Sequence, residues 1–176
     1  MNNDVEAPLA ALILASAKEH PDVREAMLLD RRDSYDLAII AHSFASPVNI
    51  RNHVFTALGG TGCLRAVTVL PSMPAGASEA ELAELMDAVD ETEKSVYVGP
   101  RNETERELLE IWRRLLRLEH IGVADDFIAL GGDSATVVQL GPAIQEHFGV
   151  EVEFEMIFEA ATVRNLAVRI EQLRNE

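Results

Sequence analysis

The apolar residues of this 176-residue chain change period repeatedly up to about residue 89, and from about residue 103 they keep a single period to the end. Strands are thereby confined to the first half, and the second half has only helices with which to build a core. Leu9, Ile13, Leu14 and Ala17 follow helical spacing and predict a helix over about 5–19, with Pro8 tolerated near its start, where an N–H would be unpaired anyway. His20-Pro21-Asp22 breaks it. Residues 25–29 and 37–41 then read as two short strands joined through the charged turn Asp30-Arg31-Arg32-Asp33, a hairpin. A second helix starts at Ser46-Pro47 and stops at Gly59-Gly60, as a glycine C-cap stops one. A strand over 64–70 follows, then a proline-rich loop over 71–77. Ser78 with Glu81 makes a capping box for a helix over 79–89. The first half is expected to be a small α+β unit.

Between residues 90 and 104 the apolar pattern stops, and Glu91, Glu93, Lys94, Gly99 and Pro100 read as an interdomain linker. Beyond it, Leu108, Ile111, Trp112, Leu115 and Leu116 share one face of a helix. Val137, Leu140, Ile144 and Phe148 share a face of a second helix, which ends at Gly149. A short apolar piece over 154–158 precedes a last helix carrying Val163, Leu166, Ile170 and Leu173. The expected division is an α+β unit over 1–90, a linker over 91–102 and an all-α bundle over 103–176.

Charge narrows the partners. Fifteen basic residues against thirty acidic ones leave a net charge of −15, which repels phosphate backbones and anionic lipid headgroups. Nucleic acid and membrane surfaces are set aside, and a basic protein patch is the better partner. The longest apolar stretch, residues 7–17, is too short to span a bilayer. Residues 1–6 carry Asp4 and Glu6 without a positive charge, unlike the basic start of a signal peptide, so the expected compartment is the cytoplasm. The single cysteine, Cys63, cannot form an intramolecular disulfide and reads as a core residue, since no positive neighbour favours its thiolate.

The stretch Asp125-Asp126-Phe127, followed by Leu130-Gly131-Gly132-Asp133-Ser134 at a helix start, carries the most chemical information. A serine there lies beside unpaired backbone N–H groups and the positive end of the helix dipole, where an attached phosphate is well tolerated. The same residues also read as a turn and an N-cap, with Asp133 or Ser134 capping and the glycines turning the chain.

The whole string resembles a known family. Residues 97–176 are similar to the peptidyl carrier, or thiolation, domain of nonribosomal peptide synthetases. The similarity is carried by Tyr97-Val98-Gly99-Pro100-Arg101-Asn102-Glu103-Thr104-Glu105, Ile111-Trp112, Ile121-Gly122-Val123-Ala124-Asp125-Asp126-Phe127, Leu130-Gly131-Gly132-Asp133-Ser134, Phe148-Gly149-Val150, and Ile157-Phe158-Glu159-Ala160-Ala161-Thr162-Val163. The resemblance implies a four-helix domain in which Ser134 receives the 4′-phosphopantetheine arm of coenzyme A from a phosphopantetheinyl transferase. The arm's thiol then holds an aminoacyl or acyl group as a thioester. Gly131, Gly132 and Asp133 complete the attachment motif, and Phe127, Ala135, Val138, Ile157 and Phe158 form the expected partner surface. A trans-acting adenylation or acyl-loading enzyme and a downstream condensation or tailoring enzyme are the further partners implied. Two residues depart from the family pattern: Ala135 follows the serine where a large aliphatic residue is usual, and Pro142 falls inside the second helix.

Residues 5–85 look like the small C-terminal subdomain of an adenylation domain. The resemblance rests on residues 5–9, on His20-Pro21-Asp22-Val23-Arg24-Glu25-Ala26, and on residues 67–70 leading into Pro71-Ser72-Met73-Pro74-Ala75-Gly76-Ala77. In working adenylation domains a lysine follows that glycine and contacts carboxylate and phosphate. Ala77 stands there in this chain, and a methyl group supplies no such electrostatic stabilisation. The expectation is a truncated, non-catalytic unit, no enzyme activity, and a carrier loaded in trans. Two rival readings are a docking module whose N-terminal unit recruits a partner enzyme, and a residual ligase completed by a separate nucleotide-binding subunit.

The remaining candidates read as ordinary structure. Gly59-Gly60-Thr61-Gly62 runs from helix to strand, the reverse of a phosphate loop. The five histidines, His20, His42, His53, His120 and His147, are scattered at no ligand spacing. Asn102-Glu103-Thr104 reads as a helix cap, and the carboxylate runs at 79–90 and 103–110 read as solvated helix faces.

Overall fold

The computed structural model describes residues 3–42, 45–60, 63–73 and 76–175, which leaves Thr61-Gly62 of the glycine-rich turn and Pro74-Ala75 of the proline-rich loop outside the described residues. The chain divides into two compact units, Met1–Val96 and Tyr97–Glu176.

The first unit contains helix α1 (Asn3–Glu19), strands β1 (Val23–Asp30) and β2 (Tyr35–Ala41), helix α2 (Pro47–Ala57), strand β3 (Leu64–Val69), helix α3 (Glu79–Ala88) and strand β4 (Lys94–Val96). The four strands form one sheet in sequence order. β1 and β2 make the expected antiparallel hairpin, β2 and β3 run parallel across the α2 crossover, and β4 pairs antiparallel with β3. Beyond Asp36, β2 is apolar because both its faces are covered. Leu37 and Ile39 join Ile13 and Ala17 of α1 and Ile50 and Val54 of α2 in one core. Ala38 and Ile40 face Leu82 and Met86 of α3 in the other.

α2 ends as its glycines predict. Gly59, at φ +62°, donates to the Thr56 carbonyl, and Gly60 donates to the Phe55 carbonyl, the paired closure of a Schellman motif. The capping box at α3 is present in both directions between Ser78 and Glu81. Cys63 is half-buried against the core between α1, α2 and the sheet.

The structure departs from the sequence reading, or adds to it, at three points here. Residues 91–96 are not linker: a 3-10 turn at Glu91–Glu93 leads into β4, whose register sets Val67 opposite Ser95. A strand this short, with Lys94 and Ser95 in its three positions, has no alternation to read. The histidines are not all dispersed either, since the rings of His20 and His53 meet edge to face with centroids 5.1 Å apart. Finally, the pattern gives no hint of Asp36, which is 1% exposed on β2 and pairs with Arg31 at 2.7 Å and with Arg65 of β3. Two guanidinium groups offset the desolvation of that carboxylate.

The second unit consists of α4 (Glu103–Leu116), α5 (Ser134–Phe148), α6 (Phe154–Ala160) and α7 (Val163–Leu173). α4 packs on α5 and α7, and α6 bridges the latter two. Asn102 caps α4 by accepting the Glu105 N–H at 2.8 Å, as its place in the sequence predicts. Glu105 itself departs from the solvated face expected of it. It is 5% exposed and accepts from the Arg101 N–H at 2.7 Å and from Arg164 Nε of α7 at 3.3 Å. α5 runs unbroken through Pro142. The N–H that proline lacks would have met the carbonyl of Val138, a residue on the solvent side of the helix.

Candidate cofactor attachment site

The site is made by the irregular segment between α4 and α5, and its anchor is Phe127. The Phe127 N–H donates to the Ala161 carbonyl at 2.7 Å, and an isolated bridge joins Asp126 to Thr162, so the segment is fastened to the turn between α6 and α7. The Phe127 ring is 1% exposed and meets Trp112 and Phe158 edge to face, at centroid distances of 5.1 and 6.2 Å. Asp125 holds the approach to the segment by accepting the Gly122 N–H at 2.7 Å. Asp126 then accepts the Ala129 N–H at 2.9 Å through its side chain and the Leu130 N–H at 3.0 Å through its carbonyl.

The two glycines serve different needs. Gly131 sits at φ +87°, where an L side chain is strained. Gly132 has no such backbone need, but a Cβ on it would lie 2.4 Å from Cε1 of Phe127. Its N–H donates to the Phe127 carbonyl at 2.8 Å, so the chain folds back directly over the ring.

That return delivers Asp133 to the N-cap of α5. Its carboxylate accepts the Thr136 N–H and the Thr136 hydroxyl, both at 2.8 Å. These two bonds, the backbone one first, hold its pKa below the usual carboxylate range. Of the two sequence readings of this aspartate, capping is the one its geometry displays.

Ser134 is the first residue of α5 and is exposed. A group esterified to its hydroxyl projects into solvent, beside the free end of the helix and its positive dipole. The adjoining residues 126–138 contain no His, Lys, Arg or Cys, and the carboxylate beside the serine, Asp133, is engaged by the Thr136 N–H and hydroxyl.

The expected partner surface is brought together only in part. Ala135 and Val138 are exposed, Val138 at 65%, and Phe158 is half-buried. Phe127 and Ile157 are each 1% exposed and belong to the core instead. Two residues that the sequence reading passed over, Ile128 and Phe154, stand out from the surface at 57% and 41%. Ile128 lies in the hydrogen-bonded turn that follows Phe127, where the neighbouring Ala129 is exposed as well. Ala77, in the other unit, is half-buried and directly precedes the Ser78 cap of α3. Among the described residues no group of three or more His, Cys, Asp and Glu side chains could hold a metal ion, and no helix is long and apolar enough to cross a membrane.

Residues 106–170 match the family model described as "Phosphopantetheine attachment site". The second unit contains a phosphopantetheine carrier domain. Its cofactor is 4′-phosphopantetheine, held covalently, and the exposed serine at a free helix end fits that group. Surfactin synthase subunit 3 of Bacillus subtilis (strain 168) is 28% identical over 156 residues, 85% of this chain and 12% of that protein. Bacitracin synthase 1 of Bacillus licheniformis is 36% identical over 80 residues, 46% of this chain and 2% of that protein. The chain thus spans a small part of the curated relatives it matches. A chain from the solved structure of the phosphopantetheine transferase Sfp with coenzyme A and a peptidyl carrier protein is 30% identical, with a TM-score of 0.42. That match covers 43% of the present chain and 99% of the solved one. A carrier domain is a substrate that other enzymes act on, not a catalyst.

Proposed function

We propose that Ser134 is the residue that carries the 4′-phosphopantetheine arm, and that the chain works as a peptidyl carrier in nonribosomal peptide assembly, loaded by a separate enzyme. The observation that supports this most directly is the position of Ser134, exposed at the first position of α5 behind a loop locked by Phe127 and Gly132. The arm supplies a thiol that holds an acyl group as a thioester. The protein's own contribution is positional. Asp133 fixes the helix start, Gly132 brings the chain over Phe127, and the dipole of α5 receives the phosphate end of the arm.

The sequence of the first unit supports loading in trans. Where its resemblance to the adenylation C-terminal subdomain calls for a lysine, Ala77 presents a methyl group, so this unit offers no cation to an adenylate there. Its role in this reading is to dock or stabilise the carrier. The partners are a phosphopantetheinyl transferase, a trans-acting adenylation or acyl-loading enzyme, and a downstream condensation or tailoring enzyme. Ala135 and Val138 on α5 are exposed side chains near Ser134 in sequence for them to meet.

Intact mass measured before and after incubation with coenzyme A, Mg²⁺ and a permissive transferase tests the assignment. The expected result is a gain of one phosphopantetheine that Ser134→Ala abolishes. No gain from folded protein, or a gain that survives in the variant, overturns it, and the first of these outcomes moves the weight to the docking-module reading.

A further inference from the structure

Basic residues are scarce in this chain, yet three of its fifteen, Arg113, Arg114 and Arg117, lie on the last turn and cap of α4. With Glu110, Leu118 and Glu119 they line an open surface cleft of about 530 Å³. Arg113 spends one terminal nitrogen on Glu110 at 2.7 Å, and its Nε is buried with no hydrogen-bond partner among the described residues. Arg114 and Arg117 are exposed and make no ion pair among those residues.

Cations at a helix C-terminus have a local explanation, since they complement the dipole. Arg113 and Arg114 already satisfy it, and Arg117 goes beyond it. It caps α4 in the left-handed region at φ 57° and ψ 39°, the position that glycine fills without strain. A long cationic side chain is thus held at a strained backbone position on the rim of a cleft that has two further guanidinium groups.

We propose that this cleft is a docking surface for an acidic segment of a partner protein, whose spaced carboxylates engage the guanidinium groups while an apolar side chain lies on Leu118. Guanidinium forks suit carboxylates two oxygens at a time. Glu110 and Glu119 at the margins disfavour a compact dianion such as phosphate. An extended peptide sets its charges on the arginines and away from both glutamates. The chain's net charge of −15 repels an acidic partner elsewhere, so the cleft gives that partner a single orientation. This surface is independent of the assignment of Ser134.

The test is a titration of the ¹⁵N-labelled full chain with a hexaglutamate peptide, followed by amide shifts, with inorganic phosphate at matched charge as the second arm. The expected perturbations centre on residues 110–119 and weaken as salt is raised. They fall at least about tenfold in affinity in the R114E/R117E variant, whose two sites are exposed and leave the core untouched. Arg117→Gly separates the two roles of that residue, because it relaxes the cap and should still weaken the peptide several-fold. No perturbation in the cleft, equal perturbation by phosphate, or unchanged affinity in R114E/R117E or in Arg117→Gly overturns the proposal.

Discussion

Gly132→Ala isolates the steric part of the attachment loop from everything else the loop does. The substitution places a methyl group 2.4 Å from Cε1, 2.5 Å from Cζ and 2.6 Å from Cδ1 of Phe127. The ring cannot slide away, because Trp112 and Phe158 meet it edge to face and the Phe127 backbone N–H donates to the Ala161 carbonyl. The backbone at Gly132, unlike that at Gly131, is not in the left-handed region, so alanine is not strained there for any other reason. Overpacking of a filled core costs typically about 1–3 kcal/mol, and a clash with three atoms of a wedged ring belongs at the upper end, near 2–3 kcal/mol. In a unit of some 80 residues that lowers Tm by about 10–20 °C. Trp112 is the chain's single tryptophan, so its fluorescence during urea or thermal unfolding follows the helical unit by itself. Phe127→Leu, which shortens the obstructing ring, should cost stability alone and yet reduce the penalty of Gly132→Ala by about 1 kcal/mol in a double-mutant cycle. A Gly132→Ala variant within about 0.5 kcal/mol of the parent, or a cycle with no coupling, would refute the account of why this position lacks a side chain.

Two further outcomes concern buried charge. Glu105→Ala leaves Arg164 and the Arg101 N–H without their acceptor and should cost about 2–4 kcal/mol by Trp112-detected denaturation. Glu105→Gln, which keeps an acceptor oxygen, should cost less. In the first unit, burial foremost and then the neighbouring His53 push the His20 pKa down, with Asp22 opposing. The folded state therefore disfavours the protonated ring, and stability is full above the unfolded histidine value of about 6.5 and falls as pH drops through it toward the depressed folded value. Chemical denaturation of the parent and of His20→Gln, followed by first-unit amide signals between about pH 5 and 8, should give a sloping profile for the parent and a flatter one for the variant.

The periodic elements are legible because each has a face to bury. The β1–β2 hairpin, the Gly59-Gly60 stop and the Ser78 capping box all have strong local chemistry, and all appear where the sequence puts them. Features that depend on a distant partner are not legible. β4 is a strand only because β3 offers an edge, and nothing within Lys94–Val96 announces it. Asp36 and Glu105 look like surface carboxylates until Arg65 and Arg164, from other elements, come up against them. The attachment motif stands out as a string, but the side on which each of its apolar residues falls does not. Phe127 and Ile157 look like a sticky surface in sequence, and only the ring cluster with Trp112 and Phe158 reveals Phe127 as the anchor on which the glycine rests.

Because the loop that precedes Ser134 is fixed to Phe127 and to the turn before α7, the serine is held from behind and not by the helix that it opens. The far half of α5 therefore does not set where Ser134 sits. Pro142 lies in that half: it removes a helical bond two turns beyond the serine, while Leu140, Ile144 and Phe148 stay in the core. Alterations meant to change which proteins this carrier meets have their widest latitude on the exposed face of that half-helix, whereas the residues before Ser134 tolerate almost none.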